Sequence, residues 1–182
     1  YFNDTLRDSI RGSTFITEAL GFITGATGIG ETLESCFRGL PHWCTDPCQS
    51  INYISCHDNN TLMDRIALAV PNRSFYDMAR MNRLGAAFYI LSQGIPFMHA
   101  GEEMLRSKPD SKGGFVENSF KSPDSVNSIK WDLLEREEYQ KTLEYYKGLI
   151  AFRKAHDPVR RSGPEGAFGL PPVLVMKPGS AG

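Results

Sequence analysis

Ile51-Asn-Tyr-Ile-Ser-Cys-His57-Asp58-Asn59 passes from apolar to polar within nine residues, and the reading of the whole chain turns on that change. The β-branched and aromatic residues at its start predict a strand over Ile51 to Cys56, with His57 and Asp58 at its carboxyl end. Folds with parallel strands build their sites at that end. Neighbours on a strand point to opposite faces, so His57 and Asp58 share a cleft only where the backbone is already turning into its loop. The residues alone leave three readings open. Asp58 and His57 line a site; or Asp58 caps the next helix through its amides; or the pair is the metal doublet of a phosphohydrolase, helped by His42 and His99.

Working outward, Asn60 to Val70 predicts a short helix stopped by Pro71. The next helix, Ser74 to Gln93, has Ser74 as its N-cap with Asp77 three residues on. Phe75, Met78, Leu84, Phe88 and Leu91 recur at helical spacing, and Gly94 is the stop. Ile95 to Ala100 predicts a second buried strand, Arg106 to Lys130 a long loop, and Glu135 to His156 a last helix ended by Asp157 and Pro158. That helix carries Tyr139, Leu143, Tyr146 and Ile150 on one stripe and a Glu137–Lys141 pair. Strand, helix, strand, loop, helix predicts an α/β fold with parallel strands and room for two strand–helix units. From Gly163 onward nine of twenty residues are Gly or Pro, and Val173 to Met176 alone reads as strand. The division expected is one domain over 1–160, and over 161–182 a linker or the truncated start of a following β domain.

Two further stretches carry candidate chemistry. Gly25-Ala-Thr-Gly-Ile-Gly-Glu-Thr32 imitates a phosphate-binding loop, but Glu31 stands where the lysine should be and would repel the phosphates, so a glycine turn is expected. Gly94-Ile-Pro-Phe-Met-His-Ala-Gly-Glu-Glu103 ends the second strand with adjacent acids. These cannot be the opposed pair of a glycosidase, whose carboxyls flank the scissile bond about 5–9.5 Å apart. Glu102 is expected to bind loop amides instead. The loop that follows offers Asn118, Ser119, Phe120, Asp124 and Asn127, a mixture suited to sugar hydroxyls and ring faces, although a plain surface loop is the alternative.

Composition narrows the partners. Of 182 residues, 41% are hydrophobic and 23% charged, with 20 basic and 21 acidic side chains giving a net charge of -1. Such a chain buries a core and carries no global field for a polyanion, so nucleic acid is not expected as a partner. The longest apolar run, Leu84 to Leu91, is far short of the ~20 residues of a membrane span. Cys36, Cys44, Cys48 and Cys56 read as structural thiols, with a metal site completed by His57 and a disulfide as alternatives. Their use favours a reducing, cytoplasmic setting over secretion.

The motifs at 51–59, 94–103 and Asn118-Ser-Phe-Lys-Ser-Pro-Asp-Ser-Val-Asn127, with the opening Phe2-Asn-Asp-Thr-Leu-Arg-Asp-Ser-Ile-Arg-Gly12, together resemble the type I pullulanases. These are debranching enzymes of glycoside hydrolase family 13, the α-amylase family. The resemblance implies the C-terminal part of a (β/α)8 barrel that hydrolyses α-1,6 linkages in pullulan, amylopectin or glycogen with retention. The opening would follow the sixth strand, Tyr53 to His57 would be the seventh and Ile95 to Ala100 the eighth. Asp58 would be the carboxylate that stabilises the distorted, oxocarbenium-like sugar, and His57 would hydrogen-bond the same sugar. Asn118 and Asp124 would contact donor-side glucose units, and Phe120 would stack there where relatives more often have tyrosine.

The family's nucleophilic aspartate and acid/base glutamate lie on strands four and five, for which this sequence has no counterpart. The parent would therefore be the enzyme and this chain its inactive C-terminal barrel part, with an α-glucan and the missing barrel half as partners. A complete barrel takes ~250 residues, more than the chain supplies. No cofactor is expected, since the chemistry uses carboxylates and water. Calcium is a structural ion in relatives, and no oxygen-rich loop here has its ligand spacing. The alternatives are another α-amylase-family enzyme such as an isoamylase or glycogen debranching enzyme, or a non-catalytic α-glucan-binding module using Phe120 and Trp131.

Overall fold

The computed structural model describes residues 1–160; the expectations for 161–182 lie outside the described residues. In chain order the α-helices and strands are α1 (Asp4–Arg11), α2 (Gly30–Phe37), β1 (Ile51–Asn52), α3 (Leu62–Ala69), α4 (Phe75–Leu91), β2 (Ile95–Pro96), α5 (Asp124–Asn127) and α6 (Glu137–Ala155). β1 and β2 pair in parallel, Ile51 with Ile95 and Asn52 with Pro96. Phe2 forms a further parallel bridge to Ile51, so three chain segments run side by side in one direction. The expected parallel α/β order is present, but the strands are much shorter than Ile51–Cys56 and Ile95–Ala100. The last ladder bond is Phe97 N–H to Asn52 O at 2.8 Å.

The helices follow their local sequence. Thr61 and Ser74 accept the amides of Asp64 and Asp77 and start α3 and α4, and Asn3 accepts Leu6 N–H to start α1. Within α1, Leu6 and Ile10 recur at i,i+4 and are fully buried. They join Ile54, Leu62, Ile66, Ala86, Tyr89, Ile90, Tyr146 and Leu149 in one core against one face of the short sheet. The buried stripe of α6 is Thr142, Tyr146 and Leu149 rather than the four-residue stripe read from the sequence, because Leu143 and Ile150 are only partly covered. Arg153 ties α6 to the end of α4, donating to the carbonyls of Ile90, Ser92 and Gly94 at 2.7–2.8 Å.

A buried polar knot fixes the strand register. Asn3 Nδ2 donates to Ser50 Oγ (3.0 Å) and Asn52 Oδ1 (3.1 Å), Ser50 Oγ donates to Asn52 Oδ1 (2.7 Å), and Asn52 Nδ2 donates to Ser92 Oγ (2.8 Å). Its members come from the opening segment, β1 and the α4–β2 turn, so a slip of any strand would leave buried amides without partners. Gly94 closes the knot at φ +103°, where an added Cβ would lie 2.9 Å from both Ser50 O and Asn52 Nδ2. Gly94→Ala is expected to cost about 2–3 kcal/mol, from backbone strain and displacement of the knot. The urea midpoint measures it, and an unchanged midpoint would show that the turn relaxes freely.

The other sheet face is open. Phe2, Ile95 and Phe97 are 52%, 49% and 37% exposed, although Phe2 meets Tyr53 and Phe97 edge-on at ring separations of 5.1 and 5.6 Å. Parallel sheets are ordinarily covered on both faces.

Candidate active site

Beyond Asn52 the chain leaves the ladder while its side chains stay anchored. Tyr53 is buried, with its hydroxyl donating to Asp4 Oδ1 (2.5 Å) and accepting from Arg7 Nη1 (2.6 Å). Ser55 Oγ donates to Glu102 Oε2 at 2.6 Å. The next residues then emerge, His57 and Asp58 having side chains 81% and 67% exposed. His57 Nε2 lies 3.2 Å from Asp58 Oδ1, so the loop has turned far enough for the two to face each other. Asp58 does not cap α3: Thr61 holds that position, which removes the capping reading. Among the described residues no group of three His, Cys, Asp or Glu side chains is placed to hold a metal. The four cysteines carry free thiols, with Cys36 and Cys44 buried.

The end of β2 arrives beside this loop. Burial, then Arg106, Lys108 and His57, lowers His99 to about 4, so its imidazole is neutral at pH 7. Glu102 departs from its expected role. It binds side-chain hydroxyls, accepting from Tyr89 (2.9 Å) and Tyr146 (3.1 Å) at Oε1 and from Ser55 at Oε2. Glu103 is the acid that takes a loop amide, Gly101 N–H at 3.0 Å. Burial raises Glu102 to about 7, against the lowering effect of its three hydroxyl donors. A carboxyl caged in this way holds the segment beyond β1, α4 and α6 together.

The long loop supplies the third part. Asn118 comes directly to the Asp58 segment, its Oδ1 accepting Asn59 N–H at 2.9 Å. Phe120 is 79% exposed with Lys121 Nζ 5.5 Å from its ring centre, and Asp124 opens α5 with its carboxylate in solvent. Among the described residues, neither has a hydrogen bond or ring contact to His57 or Asp58. Thus His57 and Asp58 face each other and Asn118 is bonded to the backbone of the next residue, Asn59, while Phe120 and Asp124 stand further along the same loop. Sequence reading missed Asn59 and Glu117, which join across the two loops (Asn59 Nδ2 to Glu117 Oε1, 2.9 Å), and Asp4 and Arg7 around Tyr53. A residue of left-handed backbone is invisible to periodicity, and Asn59 (φ +59°) and Asn118 (φ +47°) both have it.

No protein-family model matches the chain. A pullulanase of Bacillus subtilis is 38% identical over 169 residues, covering 88% of this chain and 22% of that protein. A more distant relative is an isoamylase of a Flavobacterium species, 27% identical over 87% of this chain and 22% of its own. Among solved structures, the pullulanase of Paenibacillus barengoltzii in complex with maltohexaose and α-cyclodextrin superposes with a TM-score of 0.84 at 39% identity, over 92% of this chain and 26% of that one. The chain spans about a quarter of the length of the proteins it matches. Agreement in sequence and fold along nine-tenths of its length makes this chain a homologue of the pullulanases.

Proposed function

We propose that the chain forms strands six to eight, with their helices, of the (β/α)8 barrel of a retaining hydrolase acting on α-1,6 branch linkages in pullulan, amylopectin or glycogen. The observation that carries this reading is the facing pair His57 and Asp58 beyond the carboxyl end of a parallel strand, with Asn118 of the long loop bonded to the adjacent Asn59, in a chain homologous to pullulanases. The three parallel segments in the order Phe2, β1, β2 fit consecutive barrel strands. The exposed aromatic face behind them fits an inner barrel wall awaiting its other strands.

In this reading Asp58 holds the ring hydroxyls of the sugar at the cleavage subsite, and those contacts strengthen as the ring flattens and positive charge grows. His57 hydrogen-bonds the same sugar. Asn118 and Asp124 take donor-side glucose units, with Phe120 as a stacking face. The nucleophile and the acid/base come from the barrel strands beyond this chain. The reading is supported by the engagement of the acids around the site in holding its loops: Glu102 accepts from three hydroxyls, Glu103 from Gly101 N–H and Glu117 from Asn59 Nδ2.

A second reading, a self-sufficient glucan-binding module, is favoured by the exposure of Phe120 (79%) and Trp131 (67%). Titration calorimetry with maltohexaose separates the two. A quarter of a groove should give no measurable heat of binding, whereas sub-millimolar affinity in the 182-residue chain would favour the module.

A further inference from the structure

The loop from 106 to 130 is wired internally and anchored at two places. At α3, the buried Asp64 carboxylate accepts Lys108 N–H at 2.9 Å and the Ser107 hydroxyl. From there Lys108 Nζ donates to Ser119 Oγ (2.6 Å), Ser119 Oγ donates to Asn127 Oδ1 (2.7 Å), and Asn127 Nδ2 returns to Ser119 O (2.7 Å). These bonds tie the loop into one polar-cored unit. Its second anchorage lies one residue from Asp58. Asn59 gives its backbone N–H to Asn118 Oδ1 and its side-chain amide to Glu117 Oε1, both at 2.9 Å. Asn59 and Asn118 each have a left-handed backbone, which a non-glycine residue keeps only where its surroundings over-determine it.

Asp58 needs such support. Among the described residues its carboxylate is paired with the exposed His57 alone, and upstream its carbonyl takes a weak 3.8 Å contact from the Cys56 thiol. Downstream, Arg11 Nη1 reaches Asn60 O at 3.3 Å. The pair of short bonds at Asn59 is thus the firmest restraint next to the carboxylate, and one of the two ends on a charged acceptor.

We infer that Glu117 is a positioning residue: acting through Asn59, it sets the backbone that aims Asp58 and couples the sugar-contacting loop to the carboxylate at the cleavage subsite. This rests on the proposed debranching function. Tilting Asp58 leaves ground-state sugar contacts largely in place but misdirects a contact that matters most in the transition state, so the effect falls on kcat.

The experiment uses the polypeptide that joins this chain to the rest of its barrel, with an α-1,6-branched maltooligosaccharide as substrate. Glu117→Ala is expected to lower kcat about tenfold while KM changes less than about twofold. Glu117→Gln, which keeps an acceptor oxygen, should recover to within about threefold of wild type. Asn59→Gly keeps the left-handed backbone and the amide donor but loses Nδ2; it should match Glu117→Ala, and the double variant should be no worse than either. Hydrogen exchange across residues 57–62 should quicken in Glu117→Ala. An active wild type with unchanged kcat in Glu117→Ala, or a loss fully accounted for by a smaller folded fraction with unchanged exchange across residues 57–62, would overturn the positioning role alone. A wild type that cleaves no α-1,6 linkage would overturn the debranching reading instead, and the exchange measurement would still decide whether Glu117 restrains Asn59.

Discussion

Asp58→Asn in the complete enzyme is expected to lower kcat by about 10²–10³-fold, the loss typical when one preorganised transition-state contact is removed. The side chain is two-thirds exposed and, among the described residues, its carboxylate is paired with His57 alone, so its replacement should leave stability within about 0.5 kcal/mol of wild type. That separation makes the result readable, because an activity loss without a shift in unfolding midpoint cannot come from a damaged fold. An asparagine has nearly the same shape and can still hydrogen-bond a hydroxyl, so ground-state binding should change less than turnover. What it lacks is the negative charge that, in the proposed function, faces the developing oxocarbenium character of the ring. Equal kcat in the two proteins would remove Asp58 from the reacting centre.

The largest effect on stability is expected at Glu102. Glu102→Ala would leave the buried hydroxyls of Ser55 and Tyr89 without their acceptor and Tyr146 with Asn82 in its place, at a cost of about 2–4 kcal/mol in denaturant unfolding. Glu102→Gln keeps an acceptor for the two tyrosines and a group for Ser55 to meet, so most of that loss should be absent. The two variants also differ from wild type in pH dependence. Burial raises the folded-state value to about 7 from 4.5, so between those values the native state binds the proton that the unfolded chain releases. The stability contributed by the neutral form is present below about pH 4.5 and lost as pH rises to about 7. Glu102→Gln should flatten that part of the stability profile. Tyr146 fits such a shift. Its single hydroxyl hydrogen faces both Asn82 Oδ1 (3.0 Å) and Glu102 Oε1 (3.1 Å), so it can serve Asn82 while Glu102 is protonated and Glu102 once it ionises. A wild-type profile as flat as that of Glu102→Gln would show the carboxyl to be ionised throughout.

Elements with a strong local signal were legible in the sequence. Ser74 and Gly94 bracketed α4, Pro71 closed α3, and the parallel pairing followed from the alternation of strand and helix signals. α1 and α2 were not read, although each has a local signal. Asn3, Leu6, Ile10 and Gly12 mark α1, while the glycine-rich imitation of a phosphate loop drew attention from the helix that begins at Gly30. Strand length was overestimated because apolar composition reports burial, and residues 53–56 are covered by aromatic and hydroxyl contacts without a ladder. The exposed position of His57 and Asp58 in the loop after a strand was legible from the switch to polar residues. The roles of Glu102 and Glu117 were not, because both depend on partners dozens of residues away in the chain. The caps and cages that hold a site in place are tertiary facts, and neither periodicity nor spacing encodes them.

The division of labour between this chain and the rest of the barrel is tested most directly by incubating the purified 182-residue chain with pullulan and measuring reducing ends, beside the longer polypeptide that contains it. The debranching assignment predicts no release by the chain alone and release by the longer polypeptide that falls about 10²–10³-fold with Asp58→Asn. Reducing sugar released by the 182-residue chain itself, and lost with Asp58→Asn, would place the bond-breaking acids within these residues and contradict it.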